Sequence, residues 1–401
     1  MKKKRNFLRK LGLISLLILI SAFPPLSTDI YLPALPQLTE LLNTSQAMVN
    51  LTLAMFFIFF AGGSLFWGPL SDKYGRKPVL LIGLALYTMA SLGCAFSSEI
   101  GQLILCRIVQ GFAGSAPAVV AIAIVKDLFD GRARQRILTL IYSIVVVAPI
   151  LGPVIGAVLM EYVSWRAIFQ LLADIGLVAF LGSAFIKETR RRPFTGSIRQ
   201  NWAQLVAVLF RPKFSLPLFV FSMIPMSIIT FIATSAYIYI DDFGMNELQF
   251  GYLLAFNGFF TLIGPLLYTR LVCYFKTKNI ILAGFTLFAF LAVFTIACGH
   301  LNVYLFAILM GCASLSLLTI RVPVMNMVLD QRKIDAGSAS GLLSFVGMLM
   351  GSIGMYLVIL YPGGLIVALG AVNLAIGVAG GLVWLSICNK PFIQNVLARA
   401  A

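Results

Sequence analysis

Two charged side chains stand inside long apolar runs of this sequence: Asp29, in "STDIYLPALPQL", and Arg107, in "RIVQGFAGSA". Charge at membrane depth is expensive, and a residue that carries it there is paired or functional as a rule. A carboxylate with access to a cavity takes up a proton when burial penalises its charge and releases it when a cation comes close. Counted from the outer ends of their runs, Asp29 lies roughly 8–10 Å deep and Arg107 roughly 10 Å. Equal depth lets the two pair or share one cavity. Asp29 is therefore read as the protonatable carboxylate, and Arg107 as the cation that tunes or competes for it, because an arginine cannot shed its charge. The structural alternative for Asp29 is a helix-end residue beside an interfacial Tyr31.

Four further charged or polar positions stand in or beside such runs. Asp174 stands about eight residues into a later apolar run and is a second proton-site candidate. Tyr31 and Gln110, the latter one turn from Arg107, are candidates to line a substrate cavity. Arg321 falls near the inner end of its run, where snorkelling to the cytoplasm accounts for it.

The elements that position these residues follow from composition. Of 401 residues, 60% are hydrophobic and 11% charged, with a mean hydropathy of +0.98; soluble domains carry about 25% charge. No soluble core absorbs that much apolar surface, so the chain is an all-α integral membrane protein. Twelve runs are long enough to span, at about 11–34, 46–70, 78–98, 101–125, 136–160, 166–187, 214–240, 249–272, 279–298, 302–326, 337–360 and 363–388. The start "MKKKRNFLRKLGLISLLILI" is similar to a secretory signal, but "SAFPPLSTDIYLPALP" offers no small-residue cleavage site, so it is read as an uncleaved first span. With the N-terminus in the cytoplasm, twelve spans return the C-terminus there, and nearly all Lys and Arg fall in cytoplasmic breaks. The net charge of +16 thus reports topology and gives no reason to expect a nucleic acid. The six cysteines have no metal-ligand spacing and read as packing residues.

One long polar break, residues 188–213, divides the chain into an N-terminal half, 1–187, and a C-terminal half, 214–401, with six spans each. Within the break, "NWAQLVAVLF" has the pattern of a short amphipathic surface helix. The halves are related: "GPLSDKYGRKPVLLIG", from Gly68, has a decayed counterpart from Gly264, and Gly111 and Asp130 match Gly311 and Asp330. Paired six-span repeats are the pattern of secondary transporters, which rock one half against the other around a midplane site.

Two segments add physical detail. In the link between spans 2 and 3, Gly75 allows a tight turn, and Arg76 and Lys77 hold it at the inner surface. Asp72, an acid among cations, suits the positive N-terminal end of another helix such as the one starting at "DAGSASG"; an ordinary solvated turn is the alternative. In span 5, Gly152 and Gly156 are four apart and permit close approach of a neighbour, while Pro153 removes a helix hydrogen bond and favours a kink. Such a segment either seals a cavity against proton leak or is plain helix packing.

"GPLSDKYGRKPV" resembles the loop signature of the major facilitator superfamily, with Lys73 where Arg is usual. "RIVQGFAGSA" resembles the superfamily's span-4 motif. "APILGPVIGAVL" resembles the span-5 motif of drug/proton antiporters, with Ala157 replacing its last Gly. "STDIYLPALPQL", "SWRAIF" and "KETRRRP" resemble the Bcr/CflA subfamily of multidrug exporters. The resemblance covers Asp29 to about Arg192; the second half supports the architecture only. It implies twelve helices in two pseudo-symmetric six-helix halves, with Gly68, Asp72, Gly75, Arg76 and Lys77 as a cytoplasmic gate and Gly152, Pro153 and Gly156 as the antiporter motif. It further implies a monomer in the bacterial inner membrane that exports amphipathic small molecules against protons. The proton gradient is the driving force and no cofactor is expected. A narrow-substrate exporter or a proton symporter is the alternative within transport.

Outside transport, the alternatives are a non-transporting membrane receptor, which would show no flux, and an intramembrane enzyme, which finds little support. His300 is the single histidine, there is no H-E-x-x-H helix, and "GSASG" puts Ala339 where a nucleophile turn needs Ser. No G-x-x-x-x-G-K-[ST] phosphate loop is present, which argues against an ATP-driven pump.

Overall fold

Proline decides the path of the first apolar run. Helix α1 (Lys2–Ser21) stops before Pro24 and Pro25, and α2 (Phe23–Asp29) starts with them in its first turn, where the missing N–H groups cost nothing. Pro33 and Pro36 then shape a 3-10 turn, Leu32–Ala34, and a short α3, Leu35–Leu41. The expected single span 11–34 is therefore a broken one: Gly12–Ser21 and Phe23–Leu41 meet at a 45° bend. This computed structural model describes residues 2–129, 131–190, 209, 212–329, 336–361, 363–391 and 393–394.

The remaining runs form long helices: α4 Gln46–Tyr74, α5 Arg76–Phe96, α6 Ile100–Leu128, α7 Gly131–Tyr162, α8 Trp165–Ala184, α9 Pro212–Ala236, α10 Glu247–Leu271, α11 Thr277–Cys298, α12 Val303–Leu329, α13 Ala336–Ile359 and α14 Leu365–Ile387. A π-helical turn, Tyr237–Asp242, extends α9. Among the described residues, ten helices are long and apolar enough to cross a membrane, and the bent pair makes an eleventh. The expected fifth span lies in α7, which stays helical through Pro153. Local chemistry sets the ends. Ser45 accepts the Met48 N–H to start α4, and Asn246 and Gln249 form a reciprocal capping box on α10.

The chain divides into two compact units, Met1–Ile198 and Arg199–Ala401. In the first, α6 packs on α4 and α5, α8 on α5, and α7 on α2. In the second, α12 packs on α10 and α11, α14 on α11, and α13 on α9. The same pairing order in each unit is what the sequence repeat predicts. Gly111 and Gly311, matched in that repeat, sit at equivalent crossings: a Cβ on Gly111 would lie 2.4 Å from the Phe56 carbonyl oxygen of α4, and one on Gly311 would lie 2.8 Å from the Phe260 ring of α10. Residues 201–208 and 210, most of the expected surface helix, lie outside the described residues, as do Asp130 and Asp330.

Candidate functional site

Arg107 is fully buried in the first unit. Its Nη1 donates to the Ser27 carbonyl at 2.9 Å and to Gln110 Oε1 at 2.7 Å. Gln110 is held in turn, its Nε2 donating to Ser91 Oγ at 2.7 Å. Three rings surround the guanidinium, with centroids 4.4 Å (Phe56), 4.8 Å (Tyr31) and 5.7 Å (Phe169) away. Ring faces partly replace lost water through cation–π attraction, but Nε and Nη2 have no hydrogen-bond partner. The close α4–α6 crossing at Gly111 is what brings Phe56 onto Arg107. Tyr31 is positioned by its hydroxyl contact with Thr52, 3.1 Å, and by packing on Phe169 at 5.1 Å.

Asp29 is 3% exposed at the end of α2. Its Oδ1 accepts from Thr28 Oγ1 at 3.1 Å, and Oδ2 has no partner. No ion pair joins Asp29 to Arg107. The two share a chain segment instead: Arg107 holds the carbonyl of Ser27, two residues before Asp29. Ser27 Oγ also lies 2.6 Å from the Tyr87 hydroxyl of α5. Direct pairing is prevented because Arg107 turns to the backbone and the rings, while the bend at Ala22 and the prolines orient α2 separately from α1.

The span-5 motif packs on this same segment. A Cβ on Gly152 would lie 2.7 Å from Asp29 Cβ, and one on Gly156 would lie 2.0 Å from the Ile30 carbonyl oxygen. These glycines therefore let α7 lie directly against the Asp29–Ile30 backbone, and Pro153 is buried beside them. Asp29, Arg107, Tyr31, Gln110, Gly152 and Gly156 thus form one cluster. Asp174 is not part of it: on α8 it is exposed, touches Gln170 Nε2 at 3.4 Å, and lies on a face with exposed Leu177, Val178 and Leu181.

At the other end of α4, Gly75 turns the chain with φ of 105°, a conformation in which a side chain is strained. Arg76 Nη1 pairs with Asp72 at 2.6 Å, and Arg76 Nε pairs with Asp127 of α6 at 2.9 Å. The helix start at "DAGSASG", expected as the partner of Asp72, has its first residue and its side chains outside the described residues. Gly68 is not a tight contact, with Val119 3.7 Å from its Cβ position.

Asp127, Glu188 and Arg190 have parts here that sequence reasoning missed. Glu188 accepts the N–H groups of Arg76 (3.0 Å) and Lys77 (3.1 Å), the first two residues of α5, and those of Thr189 and Arg190, both 2.9 Å. Arg190 donates to the carbonyls of Asp72 and Lys73, at the end of α4. Lys77 Nζ donates to the Ala184 carbonyl, at the end of α8, at 2.6 Å. The segment after α8 is thereby a clasp: an acid on the positive end of α5 and a cation on the negative end of α4. Its signal was the alternating charge of "KETR", read as part of a family motif without a local role.

Partial burial pushes the Glu188 carboxyl up, but its four backbone N–H donors outweigh this and hold it below the ordinary range. An acid depressed in this way adds stability above its unfolded value, about 4.3, and loses it as pH falls through the lower folded value. The clasp therefore holds at neutral pH and opens only in strong acid. Glu188→Gln keeps one acceptor oxygen and loses the other. Faster hydrogen exchange at the Arg76 and Lys77 amides is expected, with a loss of about 1 kcal/mol, the size of a helix cap. Unchanged exchange at both amides would contradict the clasp.

The sequence of this chain matches the Major Facilitator Superfamily over residues 17–355. The chain belongs to the Major Facilitator Superfamily. Proteins of this superfamily are membrane transporters, and this facilitator is a transporter and not an enzyme. It is 28% identical over 400 residues, 96% of this chain and 98% of the relative, to "Uncharacterized MFS-type transporter YdgK" of Bacillus subtilis (strain 168). It is 30% identical over 263 residues, 63% of this chain and 62% of the relative, to a "Bicyclomycin resistance protein homolog" of Haemophilus influenzae. To "Multidrug resistance protein MdtL" of Escherichia coli O17:K52:H18 it is 28% identical over 359 residues, 88% of each chain. These relatives agree with the Bcr/CflA resemblance of its motifs. A crystal structure of a D-xylose-proton symporter superposes with a TM-score of 0.70 at 14% identity, covering 92% of this facilitator and 97% of that chain. At that identity the likeness concerns the fold.

Proposed function

We propose that this facilitator is a proton-coupled exporter of amphipathic drugs or related small molecules. The observation that carries the reading is the packing of Gly152 and Gly156 against Asp29 and Ile30. It joins the antiporter motif to a buried carboxylate that has one free oxygen, two residues from a backbone carbonyl held by a buried arginine. The drug-resistance names of two relatives support the substrate class.

An ionised carboxylate with one hydroxyl partner is costly in apolar surroundings. Two states relieve that cost: a proton on Oδ2, or a shift that brings Asp29 to the free Nε and Nη2 of Arg107. Exchange between them changes the charge of the cluster by one and repositions α2 against α7. Binding of drug and binding of proton then exclude each other as the transporter alternates access. Tyr31 and Gln110, both fully buried against Arg107, are the candidates to line the substrate path once that cluster opens, and Asp174 is a second carboxylate to test.

The segment from Gly68 to Lys77, the end of α4, the Gly75 turn and the start of α5, acts as the cytoplasmic gate, with Asp72 its switching acid and the Glu188–Arg190 clasp its anchor. The protein works as a monomer in the bacterial inner membrane, with both termini cytoplasmic, an orientation its Lys and Arg distribution supports. Its two six-helix halves, 1–187 and 214–401, are the moving bodies, joined by the linker 188–213.

The test is reconstitution into liposomes with a pH-sensitive dye inside, an imposed proton gradient, and a panel of cationic, zwitterionic and neutral drugs. Several drugs should each move protons through the wild-type protein. A folded protein that gives no proton signal with any of them would exclude the multidrug reading and favour a narrow physiological substrate.

A further inference from the structure

In the second unit, Arg321 is the charged side chain that stands away from the helix ends among the described residues. It lies eight residues before the end of α12 at Leu329 and eighteen after its start at Val303, about 12 Å and 27 Å along the axis. Side chains on a helix lean toward its N-terminus, so Arg321 leans away from the nearer end. Snorkelling past Leu329 runs against that direction.

The burial pattern around Arg321 points to an internal space. At about 100° per residue, Leu317, Val324 and Val328 share its side of α12 and are 0%, 1% and 0% exposed, while Ser314 and Met325, on the same side, are half-buried. Arg321 itself is exposed. The flanks of α12 are covered by other helices: Gly264 of α10 approaches Leu318 and Thr319, and Gly284 of α11 approaches Ile320 and Ser316. Arg321 projects from the side that faces neither. A lipid-facing arginine would have exposed neighbours above and below it, whereas those of Arg321 on its own side are buried or half-buried.

Among the described residues Arg321 makes no ion pair. It differs in this setting from Arg107, which is enclosed by rings and bonded to a carbonyl and an amide. A planar guanidinium offers five N–H donors and matches an oxyanion with two parallel bonds. We propose that Arg321 is an anion-binding residue on the transport path, which receives the carboxylate or equivalent acidic group of the transported compound. The inference rests on the transporter reading and adds a substrate class to it: compounds with an acidic group, zwitterions included, beside an apolar body.

The test uses the full-length protein in a maltoside detergent, which carries no phosphate. Phenylglyoxal modification of Arg321 is followed by peptide mass spectrometry with three probes: naphthalene-2-carboxylate, naphthalene-2-carboxamide and dioctanoyl phosphatidylglycerol. Arg321 should react when no probe is present, and roughly tenfold more slowly with saturating carboxylate, with no change from the carboxamide. In direct binding, Arg321→Gln should weaken the carboxylate roughly tenfold and leave the carboxamide unchanged, while Arg321→Lys, which keeps the charge and loses the two-bond fork, should fall between the wild-type protein and the Gln variant. Protection by the phosphatidylglycerol alone would assign the residue to a lipid headgroup and overturn the substrate role. An unreactive Arg321, protection by neither ring compound, or equal protection by both would overturn the anion site. None of these readouts needs proton movement, so the anion site can stand where the exporter reading fails, and the reverse.

Discussion

Asp29→Asn is expected to reduce drug-driven proton movement to the level of protein-free vesicles while leaving the fold intact. Asparagine keeps an acceptor for Thr28, whose hydroxyl lies 3.1 Å from Oδ1, and it fills the same volume against α7. The amide cannot exchange a proton, so it holds the site permanently in its neutral state. Because an ionised carboxylate with a free buried oxygen is replaced by a neutral group, stability should stay within about 1 kcal/mol of wild type or rise. The decisive comparison is proton flux against drug binding. Loss of flux with drug binding retained assigns coupling to Asp29. Persisting flux in the variant would remove that assignment and make Asp174→Asn the next variant to measure.

Gly156→Ala is expected to have the second largest effect. Its new Cβ would stand 2.0 Å from the Ile30 carbonyl oxygen, a backbone atom that cannot rotate away. Either α7 or the Asp29–Ile30 segment must move, at a cost of about 1–3 kcal/mol, and the Asp29 environment moves with it. Transport should fall sharply, with a lower thermal unfolding midpoint. Gly62→Ala supplies the control, because nothing lies within 4 Å of its Cβ position on α4. There the same substitution should be neutral or stabilising by roughly 0.5–1 kcal/mol, from helix propensity alone. Equal effects at the two glycines would mean that close approach of α7 to Asp29 has no functional weight.

Much of this protein is legible from residue types in order. Apolar runs must span because each backbone N–H and C=O has to be satisfied inside the bilayer, and only a helix does so within a single segment. The repeat is equally legible, since Gly111 and Gly311 occupy the same crossing in both units for the same steric reason. Asp29 and Arg107 stood out because a charge in an apolar run is costly wherever it ends up pointing.

Direction and partner were not legible. The sequence placed Asp29 and Arg107 at one depth, from which an ion pair is a natural expectation. Tertiary structure turned Arg107 to the Ser27 carbonyl, Gln110 and three rings contributed by three different elements, a choice that no local pattern encodes. Depth also gave Arg321 a cytoplasmic fate, but the orientation of α12 between α10 and α11 sets it among buried and half-buried neighbours. Asp174 shows the opposite case, a charge within a run that packing leaves on an exposed face.

By itself, then, the sequence determined the membrane, the order of the apolar runs, the internal repeat and the residues whose charge needs a reason. Only the tertiary structure decided that the span-5 glycines lie on Asp29, that Glu188 and Arg190 clasp the loop after α4, and which side each buried charge faces. The physical reason is that hydrophobic burial and backbone hydrogen bonding are read along the chain. The partner of a given side chain depends on helix rotation and crossing, which are set by packing between residues tens to more than a hundred positions apart.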